Sequence, residues 1–147
     1  MPDSRLILPD EAATQALAAR LAAKARPGDV LLLAGPLGAG KTAFARAFIR
    51  ALAEDQALQV PSPSFTLVQG YETPRGMVWH FDLWRLDGPQ ALPELGWDEA
   101  GAGIVLVEWP ERLGRLRPPD ALQIDLAFHE EGRELTLSGE GRWFDAP

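Results

Sequence analysis

Apolar positions change their period several times along this 147-residue chain, and each change predicts an element. Leu6-Ile7-Leu8 reads as a short strand, which Pro9 stops before Asp10, a residue able to cap a helix start. In the alanine-rich run that follows, Leu17 and Leu21 share one helical stripe with Ala13 and Ala16. Arg20, Lys24 and Arg26 lie toward its end, where cations suit the helix dipole, and Pro27-Gly28-Asp29 closes it. Val30 to Leu33 is apolar at consecutive positions, the pattern of a central strand covered on both faces. Gly35 to Gly40 is a glycine-bearing turn, and helical spacing returns from Ala43 to Leu52 through Phe44, Phe48 and Ile49.

Pro61-Ser62-Pro63-Ser64 suits neither a regular helix nor a central strand, because each proline removes a donor and fixes φ; an ordered loop is predicted. Extended segments are predicted at Phe65 to Tyr71 and at Met77 to Leu83, joined as a hairpin by the turn residues Glu72 to Gly76. A short helical piece lies between Pro89 and Ala100, and a second buried strand, Ile104 to Val107, ends at Glu108. Leu122, Ile124, Leu126 and Phe128 alternate with more polar neighbours, as do Leu135 and Leu137 after Glu130-Glu131-Gly132, so the chain is predicted to close on an antiparallel hairpin. Residues 139–147 read as a loose tail.

Length fits one domain over residues 1–147, and 46% hydrophobic with 24% charged residues is a globular balance. No long apolar run and no signal-like start is present, so a cytoplasmic protein without a membrane segment is expected. The absence of cysteine excludes disulfides and thiolate chemistry, and with only His80 and His129 any metal must lean on oxygen ligands. A net charge of −7 argues against broad electrostatic capture of nucleic acid.

Gly35-Pro36-Leu37-Gly38-Ala39-Gly40-Lys41-Thr42 matches G-x-x-x-x-G-K-[ST] between an apolar strand and a helix, the setting that motif requires. Backbone N–H groups from Leu37 to Ala43 can turn toward phosphate oxygens, Lys41 can reach the outer phosphates, and the Thr42 hydroxyl can ligate Mg²⁺. Such a site needs a further carboxylate near the metal. Glu108 and Asp82, each ending an apolar strand, are the candidates, against the alternative of plain solvated strand-end acids. His80 reads most simply as structural and Trp109 as packing, though an aromatic beside a nucleotide could also meet a partner. The loop from Pro61 to Thr66 is either a rigid connector or a switch whose hydroxyls sense a γ-phosphate.

With LPDEAAT, GPLGAGKT, PSPSFTLVQGY, HFDLWRL and VEWPERL in this order and spacing, the chain resembles the TsaE (YjeE) family of P-loop ATPases over nearly its whole length. Pro36 stands where the family usually has an acid and Trp84 where it has tyrosine; neither change removes a phosphate or metal ligand. The resemblance implies an α/β, P-loop NTPase-like single domain whose mixed parallel and antiparallel sheet is flanked by helices. It implies ATP and Mg²⁺ as cofactors, with Thr42 and Glu108 on the metal, Asp82 ordering its water shell or the attacking water, and Arg133 reaching the nucleotide from the closing hairpin. It further implies a weak ATPase, with Lys41, Asp82 and Glu108 as catalytic residues, that acts with the TsaD and TsaB proteins in tRNA threonylcarbamoyladenosine modification and meets tRNA only through them.

Two other classes share the glycine loop. A small-molecule kinase would need an acceptor pocket and an arginine-bearing lid, for which Arg112, Arg115 and Arg117 are the available residues. A GTPase of the common sort reads guanine through Asn-Lys-x-Asp, which a chain without asparagine lacks.

Overall fold

The computed structural model describes residues 3–144. Strand β1 (Asp3–Leu8) leads into helix α1 (Glu11–Lys24), whose first turn Asp10 caps by accepting the Ala13 N–H at 2.9 Å. Strand β2 (Val30–Ala34) and helix α2 (Lys41–Ala53) flank the glycine loop. Strands β3 (Val68–Thr73) and β4 (Gly76–Asp82) form the expected hairpin, and β5 (Ile104–Glu108) is the second apolar strand. Strands β6 (Leu122–His129) and β7 (Gly132–Ser138) are the closing hairpin.

All seven strands belong to one sheet in the order β1-β7-β6-β2-β5-β4-β3. The central four, β6, β2, β5 and β4, run parallel, while β1, β7 and β3 add antiparallel edges. The consecutive apolar runs lie at the centre because both of their faces are covered. Leu31 and Leu33 of β2 and Ile104 and Leu106 of β5 face a core built with α1 and α2; Leu32, Val105 and Val107 face a second core on the other side. In β4, Phe81 points to that second core while Val78 points to the first, so strand alternation puts His80 and Asp82 on the α1/α2 face with Val78.

Two expectations need correction. Residues Phe65 to Leu67 are not strand: Leu67 takes φ 70°, its N–H donates to the Pro63 carbonyl at 2.7 Å, and the turn so formed delays β3 to Val68. The short helical piece between Pro89 and Ala100 is present, as a 3₁₀ segment (Pro89–Leu95) and a single helical turn, α3 (Trp97–Ala100); Pro93 withholds a donor and Gly96 at φ 81° separates the two. The segment from Gly139 is not loose as far as Phe144. Trp143 is 3% exposed in the first core, its carbonyl accepts from Lys24 Nζ at 2.9 Å, and Arg142 ion-pairs with Asp29. The rest of the expected tail, residues 145–147, lies outside the described residues. Among the described residues no helix is long and apolar enough to cross a membrane.

Candidate functional site

The carboxyl ends of β2, β5 and β4 stop side by side, with Leu33 opposite Glu108 and Glu108 opposite Asp82. From β2 the chain must turn sharply into α2, and the backbone leaves no choice of residue at Gly35: φ is 146°, and a Cβ there would sit 2.4 Å from the Leu126 carbonyl oxygen. The turn from Pro36 to Ala39 is closed by Ala39 N–H donating to Pro36 O at 3.1 Å, with Gly38 at φ 83°. Gly40, at φ 105°, starts α2 without a side-chain cap, and no acidic residue occupies the helix's first turn. The positive end of α2 is thus left uncompensated at the wall of a cavity of about 320 Å³.

That cavity is where the predicted residues meet: Leu37, Gly38, Gly40, Lys41, Thr42 and Ala43 on one wall, Asp82 and Glu108 on the floor. Lys41 is 4% exposed, and its Nζ donates to the carbonyls of Gly35 at 2.5 Å and Pro36 at 3.0 Å. Burial pulls its pKa below 10.5, against the opposing pull of the negative charges on Glu108, Glu111 and Asp82. The Trp109 ring packs on the ammonium, 4.0 Å from Nζ to the ring centroid, and Trp84 tilts against Trp109 at 4.5 Å. Trp109 reaches this position from φ 60°, a strained conformation for a bulky residue.

Glu108 is buried, and both of its oxygens are held: Oε1 accepts from Thr42 Oγ1 at 2.8 Å, and Oε2 lies 2.7 Å from His80 Nε2. Asp82 is also buried. Its Oδ1 accepts the Trp84 N–H at 3.1 Å, and its Oδ2 meets the hydroxyls of Ser64 at 3.2 Å and Ser62 at 3.5 Å. The hydroxyls of the Pro61 to Thr66 loop therefore already address the site through Asp82.

Hydroxyl and carboxylate oxygens side by side are the donors a magnesium ion takes. Among the described residues no group of three or more His, Cys, Asp or Glu forms a closed metal cage, so an ion here would complete its shell from phosphate and water, as magnesium usually does. The residues fit that group.

Two predicted nucleotide contacts fall elsewhere. Ala39 and Arg133 line a second cavity of about 440 Å³, which shares Gly40 and Ala43 with the first. Arg133 Nε donates to Ala39 O at 3.0 Å and an Nη to Gly38 O at 3.1 Å, so it braces the glycine loop from β7; its guanidinium also packs on Phe128. Asp10, Thr14 and Arg46 line this cavity too and escaped the sequence reading; the one signal was Thr14, a polar residue within the buried face of α1. Arg112, Arg115 and Arg117 line neither cavity.

A parallel-centred sheet, a glycine loop after its central strand and a helix start left open behind that loop define a P-loop α/β protein. The fold matches the crystal structure of Bacillus subtilis YdiB with a TM-score of 0.75 and 30% identity, over 97% of this chain and 90% of that one. The family pattern of TsaE, the threonylcarbamoyl adenosine biosynthesis protein, matches residues 8–135, and the chain belongs to that family. Its relatives include proteins named tRNA threonylcarbamoyladenosine biosynthesis protein TsaE. That of Rickettsia felis is 39% identical over 131 residues, 88% of this chain and 76% of the relative. That of Bacillus subtilis is 36% identical over 144 residues (96% and 87%), and that of Aquifex aeolicus 42% over 108 (73% and 77%).

Proposed function

We propose that this chain binds ATP with Mg²⁺ in the first cavity and hydrolyses it slowly, and that this cycle regulates or resets the TsaD–TsaB complex in tRNA threonylcarbamoyladenosine modification. The observation that carries the reading is the bond from Thr42 Oγ1 to Glu108 Oε1, made beside the uncapped start of α2. It joins the two oxygen donors of a P-loop metal site across 66 residues of sequence.

In this reading the amides from Leu37 to Ala43 and the positive end of α2 bind the phosphates. Lys41 leaves its two loop carbonyls for the outer phosphate oxygens. Thr42 and Glu108 hold the Mg²⁺, which supplies charge neutralisation at the β- and γ-phosphates. Asp82, fixed by Trp84 N–H and the two serine hydroxyls, accepts a hydrogen bond from the attacking water. The second cavity, which shares Gly40 and Ala43 with the first as lining residues, takes the base end of the nucleotide, with Arg133 beside it.

Apolar side chains around the mouth support a protein partner: Leu37 is 75% exposed, Trp84 47%, and Phe65, next to Ser64, 84%. With a charge of −7 the chain reaches tRNA through its partners, in the cytoplasm. The kinase reading loses its support because its arginines lie away from both cavities. The test is ATP hydrolysis by the chain alone and with TsaD and TsaB, together with complex formation in ATP, in ADP and without nucleotide. Stimulated turnover and ATP-dependent association are expected. Equal association in all three conditions, or phosphate transfer to an added small acceptor, defeats the reading.

A further inference from the structure

His80 is the most completely buried titratable side chain of the site, with no exposed surface, and the reading so far gives it no task. It stands on β4 opposite Leu106, two residue pairs before Asp82 and Glu108 in the parallel register, and its ring reaches diagonally to Glu108 beneath α2. Nε2 lies 2.7 Å from Glu108 Oε2, while Nδ1 has no hydrogen-bond partner among the described residues. A buried polar group without a partner is costly, and a leucine would fill the same space without one. The ring's single polar commitment is therefore to Glu108. A carboxylate only accepts, so the imidazole Nε2–H is the donor that pairs with ionised Glu108.

We infer that His80 is a positioning residue for the metal site: its Nε2–H clamps Oε2 of Glu108 from the core side, so that Oε1 is presented to Thr42 and to the cavity. The inference rests on the proposed magnesium role of Thr42 and Glu108. With Oε2 released, a carboxylate on a residue that is 2% exposed would keep one oxygen buried and unpaired, and would rotate to relieve it. Partners of this kind behind a metal ligand set its orientation, and losing one typically weakens metal affinity about 10- to 100-fold.

The test titrates Mn²⁺ into the ADP complex and follows free Mn²⁺ by electron paramagnetic resonance, with ADP affinity in EDTA measured alongside. His80→Leu, which keeps volume without a donor, should weaken Mn²⁺ about 10-fold or more and leave metal-free ADP affinity unchanged. His80→Gln, whose amide carries a donor to nearly the same point, should restore Mn²⁺ affinity to within about threefold of the parent. If His80→Leu does not fold, His80→Asn keeps a donor but withdraws it from Oε2, and should behave as leucine would. In hydrolysis, kcat should fall with KM for ATP unchanged. Parent-like Mn²⁺ affinity in folded His80→Leu or His80→Asn would overturn the inference, as would equal losses in His80→Leu and His80→Gln, which would make the ring mere filling. Glu108→Gln separates the two levels: if it also binds Mn²⁺ like the parent, the metal site is misplaced and the proposed function fails first.

Discussion

Helices α1 and α2 pack against each other on the same face of the sheet, yet their starts are built in opposite ways. The start of α1 is satisfied from within its own sequence: Asp10 caps it through Ala13 N–H, and Glu11 adds a negative charge to the first turn. The start of α2 has no side-chain cap and no acid, and a glycine and a lysine stand where α1 has its two carboxylates. A helix end without internal partners must find them outside. The start of α1 is therefore stabilised from within, while the start of α2 leaves its amides open, as the proposed phosphate site requires.

The comparison breaks most completely at Lys41. Lys41→Ala is expected to weaken ATP binding at least 100-fold in calorimetry, because the charge aimed at the outer phosphates is lost from a chain that is already acidic. Glu108→Gln should cut ATP turnover about 100-fold while calorimetric ATP affinity stays within about tenfold, since the loop amides still hold phosphate but the metal loses a carboxylate.

Making α2 resemble α1 sharpens the contrast. Ala43→Glu adds an acid to the first turn of α2, and should raise thermal stability slightly while weakening ATP about tenfold, as the new carboxylate competes for the same helix end. Titration of Lys41 gives a graded version. Its pKa in the free protein is below 10.5, and phosphate favours the charged form. Between the lowered pKa and the higher value in the complex, ATP binding takes up a proton, and affinity falls as pH rises, by at most about tenfold per unit. In the same alkaline window the unfolded chain holds more protons at Lys41 than the folded one, so unfolding free energy rises with pH from this group. Calorimetry in buffers of different ionisation enthalpy reads the uptake. The smallest change is at α1: Asp10→Ala should cost about 1 kcal/mol in denaturant unfolding.

Much of this contrast was already readable along the chain. The capping Asp10, the buried strands, the glycine loop with Lys41 and Thr42, and the strand-end acids Asp82 and Glu108 all stand where local pattern puts them. Periodicity failed where a backbone angle outweighed hydropathy, at Leu67. It failed again at Trp143, since a Trp-Phe pair in a short glycine-rich segment shows no period that announces the core it will join.

Local pattern is therefore enough for which segments extend, which coil and where the glycine loop turns, because these follow from side-chain period, proline and glycine within a few residues. The tertiary structure alone decided who meets whom. Pairing β4 and β5 in parallel register set Asp82 beside Glu108, and packing α2 over that pair brought Thr42 to one oxygen of Glu108 and left His80 on the other. Those contacts span 66 and 28 residues, and no local pattern encodes them; they exist only once strand order and register are fixed by burying both faces of one sheet.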